Sequence, residues 1–135
     1  MLKTRSLSDF APLVLRIVLG IIFIVHGAMK FMYMSRTEHL FSKLSIPLPG
    51  IAAPAIALLE VIGGIALILG LGSRFFALLL AIDMLVAIAI AKVHAGFVGG
   101  WEFELVLLAG LLALAFGGPG AISLARNRHK ESLFA

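Results

Sequence analysis

The sequence predicts an all-α integral membrane four-helix bundle with a short interfacial helix after the first span. Three observations carry this. Hydrophobic residues make up 61% of the 135 residues and charged residues only 13%, where a soluble domain averages about 25% charged. Mean hydropathy is +1.13. Four apolar runs, at residues 11–33, 52–71, 74–95 and 102–116, approach or exceed the length that crosses a bilayer. Glycine- and proline-rich stretches separate the later runs, so the chain reads as one domain over residues 1–135.

A polar tail, residues 1–10, precedes the first span. Its basic start (Lys3, Arg5) before an apolar run is also the opening of a signal peptide. Arg16 interrupts the run and no small-residue cleavage site follows, so the span is read as retained. Ala11–Tyr33 covers roughly 34 Å at 1.5 Å per residue, enough for a core of about 30 Å. Pro12 is tolerated in its first turn. Ser35-Arg36-Thr37-Glu38 fits a capping box. Leu40, Phe41 and Leu44 follow on one face, predicting a short helix in the interface rather than a plain loop. Ser45–Gly50, with two prolines and a glycine, ends it.

Ala52–Leu71 is the second span and carries Glu60, then Gly63-Gly64, which permit close helix approach. Gly72-Ser73 makes a turn. Arg74–Ala95 is the third span, with Asp83 near its middle and Lys92 and His94 near its end. Gly96–Gly100 turns the chain, and Trp101 stands where an interfacial aromatic belongs. Glu102–Phe116 is the fourth span, stopped by Gly117-Gly118-Pro119-Gly120.

Four spans put both termini on one side. That side collects Lys3, Arg5, Arg74, Arg126, Arg128 and Lys130, and the other holds Arg36, Lys43 and Lys92. The bias predicts cytoplasmic termini. The net charge of +4 sits at span ends and tails, which argues against a nucleic-acid partner. With no cysteine, the chain has no disulfide, thiolate chemistry, iron–sulfur ligation or covalent haem of its own. It has no Walker loop, dinucleotide fingerprint, nucleophile elbow or zinc-protease motif, so whether it is an enzyme stays open.

The first span holds Arg16, His26 and Lys30 within an arc of roughly 80°, one ionisable stripe on an apolar helix. Ionisable groups inside a membrane usually face a bundle interior or a cavity. Span positions put Arg16 at ~7 Å, Asp83 at ~13 Å, Glu60 at ~18 Å and His26 at ~22 Å from the terminal-side boundary, with Glu104 and Lys30 at roughly 26–28 Å. Two expectations follow. Arg16 and Asp83 form an intramembrane ion pair. His26, Lys30, Glu60 and Glu104 converge on one ligand-binding pocket, with Gly27 and Gly63-Gly64 either leaving room for a flat ring or merely letting the helices touch, and with Phe23, Phe31 and Met84 supplying apolar walls if they turn inward. Three chemistries stay open: ion pairs that only fix the packing, a pocket for a quinone or other small ligand, and a metal site using His26, His94 and carboxylates. Lys30 snorkelling to the interface is the plain alternative.

His26-Gly27-Ala28-Met29-Lys30-Phe31, Glu60 with Gly63-Gly64, Gly70–Arg74, Gly99-Gly100-Trp101-Glu102-Phe103-Glu104 and Gly117–Leu124 together resemble the DoxX family of small four-helix bacterial membrane proteins. The likeness runs from about Val14 to Leu124. Ala125 stands where the family usually has aspartate. The family takes its name from a subunit related to an archaeal thiosulfate:quinone oxidoreductase, and members are described as partners in membrane redox complexes. The resemblance therefore implies a multi-pass protein of the bacterial inner membrane. It further implies an accessory or quinone-facing subunit of a redox system, with redox partner subunits, a quinone as its non-covalent cofactor, and scope for homo-oligomers. A membrane scaffold or assembly factor without chemistry is the alternative, and a small-molecule permease a third.

Overall fold

The computed structural model describes residues 6–124. Helix α1 spans Ala11–Met32, α2 Met34–Lys43, α3 Pro49–Leu69, α4 Ser73–Val86 and α5 Glu102–Gly117, and no strand occurs among the described residues. Among the described residues four stretches are long and apolar enough to cross a membrane: Leu7–Met32, Pro49–Leu69, Ser73–Ala95 and Phe97–Gly117. The fold class and the short helix after the first span are as the sequence predicts.

A single 3-10 turn, Leu7–Phe10, leads into α1. There the Ser6 N–H donates to Asp9 Oδ2 at 2.9 Å. α1 ends at Tyr33, whose N–H donates to Met29 O at 3.0 Å. Tyr33 is also the corner into α2, so α2 starts at Met34 and Ser35 lies inside its first turn. The expected capping box at Ser35–Glu38 is therefore not the helix start. Instead the Thr37 N–H and Oγ1 both donate to Tyr33 O, at 3.0 and 3.1 Å. Thr37 is the buried residue of α2, which packs across α3.

α3 begins three residues before the expected Ala52. Pro49 occupies its first turn, where a missing N–H is no loss because that donor has no helical partner. The chain reaches it through Leu48 in the left-handed region at φ 50°. Gly70, at φ 71°, closes α3, and the Leu71 N–H donates to Ala66 O at 3.0 Å.

The third span is not one uniform helix. After Val86 the chain widens into π-helical turns over Ala87–Lys92 and tightens into a 3-10 turn over Val93–Ala95. The i→i+5 turns shift the helical phase, so the spacing that puts Asp83 and His94 on one face of a regular helix no longer does so. The fourth span starts with a kinked turn over Phe97–Trp101, where Glu102 Oε1 accepts from the Gly99 N–H at 2.9 Å.

α1, α3, α4 and α5 form a ring of antiparallel neighbours in that order, with α1 and α4 on opposite corners. The α1–α3 seam is built from small residues. A Cβ on Gly20 would lie 2.7 Å from Gly64 O, and one on Gly27 would lie 2.7 Å from Ala57 O. Without strong hydrophobic drive inside lipid, such close backbone approach is what holds two helices together. Leu19, Phe23, Leu67, Leu80, Met84, Leu107 and Leu111 fill the centre.

Candidate functional site

The helix register brings Lys30, Glu60 and Asp83 together. α1 and α3 touch at Gly27, where a Cβ would lie 3.0 Å from Glu60 Cβ. Lys30 follows by almost a full turn and reaches back, its Nζ donating to both carboxylate oxygens of Glu60 at 2.7 and 3.0 Å. Glu60 is only 2% exposed. α3 and α4 run antiparallel with Gly63 against Leu80. Stepping three residues outward on each helix sets Glu60 beside Asp83, whose carboxyl lies within the electrostatic field of Glu60 and Lys30. Asp83 Oδ2 is buried without a hydrogen-bond partner among the described residues. Two carboxyls thus lie near one ammonium, and the ammonium bonds only Glu60.

The expected four-residue pocket is corrected in two places. Glu104 does not join Lys30: its Oε1 lies 3.7 Å from Lys92 Nζ. Depth alone set Lys30 and Glu104 in one layer, but Lys30 turns to the α1–α3 seam and leaves Glu104 to the end of the third span. Lys92, two residues before His94, sits at the depth of Glu104, a signal the expected pocket left unused. His26 does not contact Glu60. It lies about 40° further round α1 from the α3 seam than Lys30 does, and its side chain is too short to reach back.

His26 is exposed on the bundle surface instead, with its ring 6.1 Å from that of Phe103 on α5. Nδ1 lies 2.8 Å from Ile22 O. A carbonyl only accepts, so Nδ1 carries the proton and Nε2 is left as the open position of the ring. Phe103 was absent from the expected walls. Of those named there, Phe23 and Met84 belong to the core and Phe31 is exposed. Gly27 does not leave space between helices: its open side is filled by Ala57 O, Val61 Cγ2 and Glu60 Cβ. No group of three or more histidine and acidic residues placed to hold a metal occurs among the described residues.

The Arg16–Asp83 pair is not formed. Arg16 is 1% exposed, and its Nη1 donates to Pro119 O and Ile122 O, both at 2.8 Å. The physical reason is placement. α1 and α4 stand on opposite corners, Asp83 turns to α3, and the backbone after α5 folds back over Arg16. Gly70 makes room for this: a Cβ there would lie 2.6 Å from Nη1. No sequence signal marks these partners, since every residue carries a carbonyl.

The DoxX family model matches residues 11–95, more than half of the chain. The protein named "Putative oxidoreductase CatD" of Bacillus subtilis (strain 168) is 39% identical over 116 residues, covering 86% of this chain and 85% of that one. "Inner membrane protein YqjF" of Escherichia coli (strain K12) is 33% identical over 130 residues, covering 94% of this chain and 98% of its own. "Uncharacterized membrane protein Rv3486" of Mycobacterium tuberculosis (strain ATCC 25618 / H37Rv) is 33% identical over 132 residues, covering 87% of this chain and 81% of its own. No solved structure matches at comparable significance. The family match spans α1 to the end of the third stretch and so contains Arg16, His26, Lys30, Glu60 and Asp83; the chain belongs to the DoxX family.

Proposed function

We propose that this protein is an accessory, quinone-facing subunit of a membrane redox system, seated in the bacterial inner membrane with both termini cytoplasmic. The observation that carries the reading is His26. It stands on the outer surface of an apolar helix, reachable from lipid, with Nε2 open and the flat ring of Phe103 beside it. Quinones travel in the lipid, so a headgroup site has to open sideways. There Nε2 would accept from a quinol hydroxyl and take its proton and, once protonated, would donate to a quinone carbonyl, while a partner subunit takes or supplies the electrons. The Lys30–Glu60–Asp83 cluster one turn away is the nearby reserve of ionisable groups. The name of the Bacillus relative supports a redox setting, that of the Escherichia relative the inner membrane, and the basic residues of the terminal side support the orientation.

The test is thermal stability of the purified protein in lipid nanodiscs with a short-chain ubiquinone analogue. A ligand that binds only the folded state raises the melting temperature with its concentration. The wild type is expected to show that rise, and His26→Phe and Glu60→Gln to remain folded and lose it. One observation favours a scaffold instead: the space beside Gly27 is filled and the Lys30–Glu60 bridge is closed. Quinone-independent stability of the wild type would decide for that reading.

A further inference from the structure

The segment after α5 is used by neither the fold class nor the proposed redox role, yet its residues bind three helices at once. Arg16 of α1 holds it through Pro119 O and Ile122 O. Gly120, at φ 82°, rests on Pro12: a Cβ there would lie 2.9 Å from Pro12 Cβ. Ser123 lies against Gly70 at the end of α3, where a Cβ would come 2.5 Å from Ser123 Cβ. Gly118, at φ 80°, lies against the Arg74 guanidinium in the first turn of α4, 3.0 Å from Nε by the same measure. Two left-handed glycines and a proline give this stretch a shape that ordinary side chains rarely allow. The contacts also show that Pro12 and Gly120, near the two ends of the described chain, share one end of the bundle.

Ser73 lies at that same end. It extends the buried stripe Ala77–Leu80–Met84 of α4 by one turn, and it is 0% exposed although it is the first residue of its helix. Its Oγ has no hydrogen-bond partner among the described residues. A core stripe that stays dry up to its last residue needs a cover, and the segment pinned at Pro12, Arg16, Gly70 and Arg74 is in place to be one.

We propose that Gly118–Ser123 is a strap that seals the terminal end of the bundle, with Arg16 as its buried anchor. The spaces between helices then open to lipid and to the α2 end only, so the Lys30–Glu60–Asp83 cluster exchanges protons or ligands from those directions and not through the terminal end. Arg16 is a positioning residue in this scheme. The proposal concerns access and stands apart from the identity of any ligand.

The natural chain has no cysteine, so single cysteines report cleanly. Ser73→Cys is close to isosteric. In nanodiscs, where both faces meet solvent, a hydrophilic maleimide is expected to leave Ser73→Cys unlabelled while Leu7→Cys, at 89% exposure on the same end, reacts fully. Adding Arg16→Met is expected to raise the Ser73→Cys rate about tenfold or more. Arg16→Lys, which keeps the charge but lacks the planar fork, is expected to give an intermediate rate. Ala57→Cys, 0% exposed in the α1–α3 seam, is expected to stay protected, which separates opening of the strap from unfolding. If Arg16→Met opens the Ala57 probe as well, Gly70→Ala takes its place, since its methyl would press on Nη1. Ready labelling of Ser73→Cys with Arg16 intact overturns the proposal. So does a Ser73 rate indifferent to both Arg16→Met and Gly70→Ala while Ala57 stays protected.

Discussion

Arg16 and Lys30 are cations on the same helix, and the protein satisfies them in opposite ways. In the last turn of α1 Lys30 reaches back to a buried carboxylate at 2.7 Å. At the terminal end Arg16 is more completely buried and meets no carboxylate among the described residues; two neutral backbone carbonyls take its Nη1. The first arrangement trades charge for charge and leaves Asp83 over. The second spends a charge on holding a loop. Burial of a cation inside an apolar bundle is therefore no guide to its purpose: Lys30 belongs to a cluster of ionisable side chains, and Arg16 holds backbone.

The largest effect is expected at Lys30. Lys30→Met strands Glu60 as a buried, unpaired charge, and loss of one partner of a buried pair costs about 3–5 kcal/mol. The double variant Lys30→Met/Glu60→Leu is expected to recover most of that loss in detergent unfolding experiments. No recovery would mean that the bridge is not a closed pair. A smaller loss, about 1.5–3 kcal/mol, is expected for Arg16→Met, the range for hydrogen bonds to a charged donor. Should Arg16→Met prove the costlier of the two, neutral carbonyls would be the stronger partners and the comparison would reverse. The smallest effect is a coupling of almost nothing. Arg16 and Asp83 share no partner, so Arg16→Met and Asp83→Leu are expected to add within about 0.3–0.5 kcal/mol. Strong coupling would restore the ion pair that the structure does not form.

These two surroundings were legible in the sequence to different degrees. Span count, the short α2 and the burial of ionisable groups follow from hydropathy and length, because lipid leaves the backbone few other solutions. Depth placed Lys30 in one layer with both Glu60 and Glu104, yet Lys30 bonds Glu60 and Glu104 lies by Lys92. A lysine side chain reaches far along the membrane normal, so estimates based on Cα height blur by the length of that reach. Arg16 was misassigned for another reason: acceptors on the backbone leave no trace in residue identity. The π-helical end of the third span was equally silent. Ala87–Lys92 reads Ala-Ile-Ala-Ile-Ala-Lys, with neither proline nor glycine to mark a change of pitch. Gly27 was legible as a site of close approach, but whether a ring or a helix fills the gap was decided by Ala57 and Val61 on the neighbouring helix.

The anchoring of Arg16 has a consequence for how the protein is made. Its two acceptors lie 103 and 106 residues further along the chain. Arg16 enters the membrane with the first helix, while its acceptors emerge from the ribosome only after α5. Throughout synthesis the first helix therefore carries an unanswered charge near the bilayer surface, where a long side chain can still reach water. The last native contact of Arg16 is also among the longest loop closures in the molecule, and such closures are slow to form. Completion of the bundle is thus tied to completion of the chain: a nascent chain arrested before Pro119 carries the first helix in the membrane with its arginine still at the water's edge.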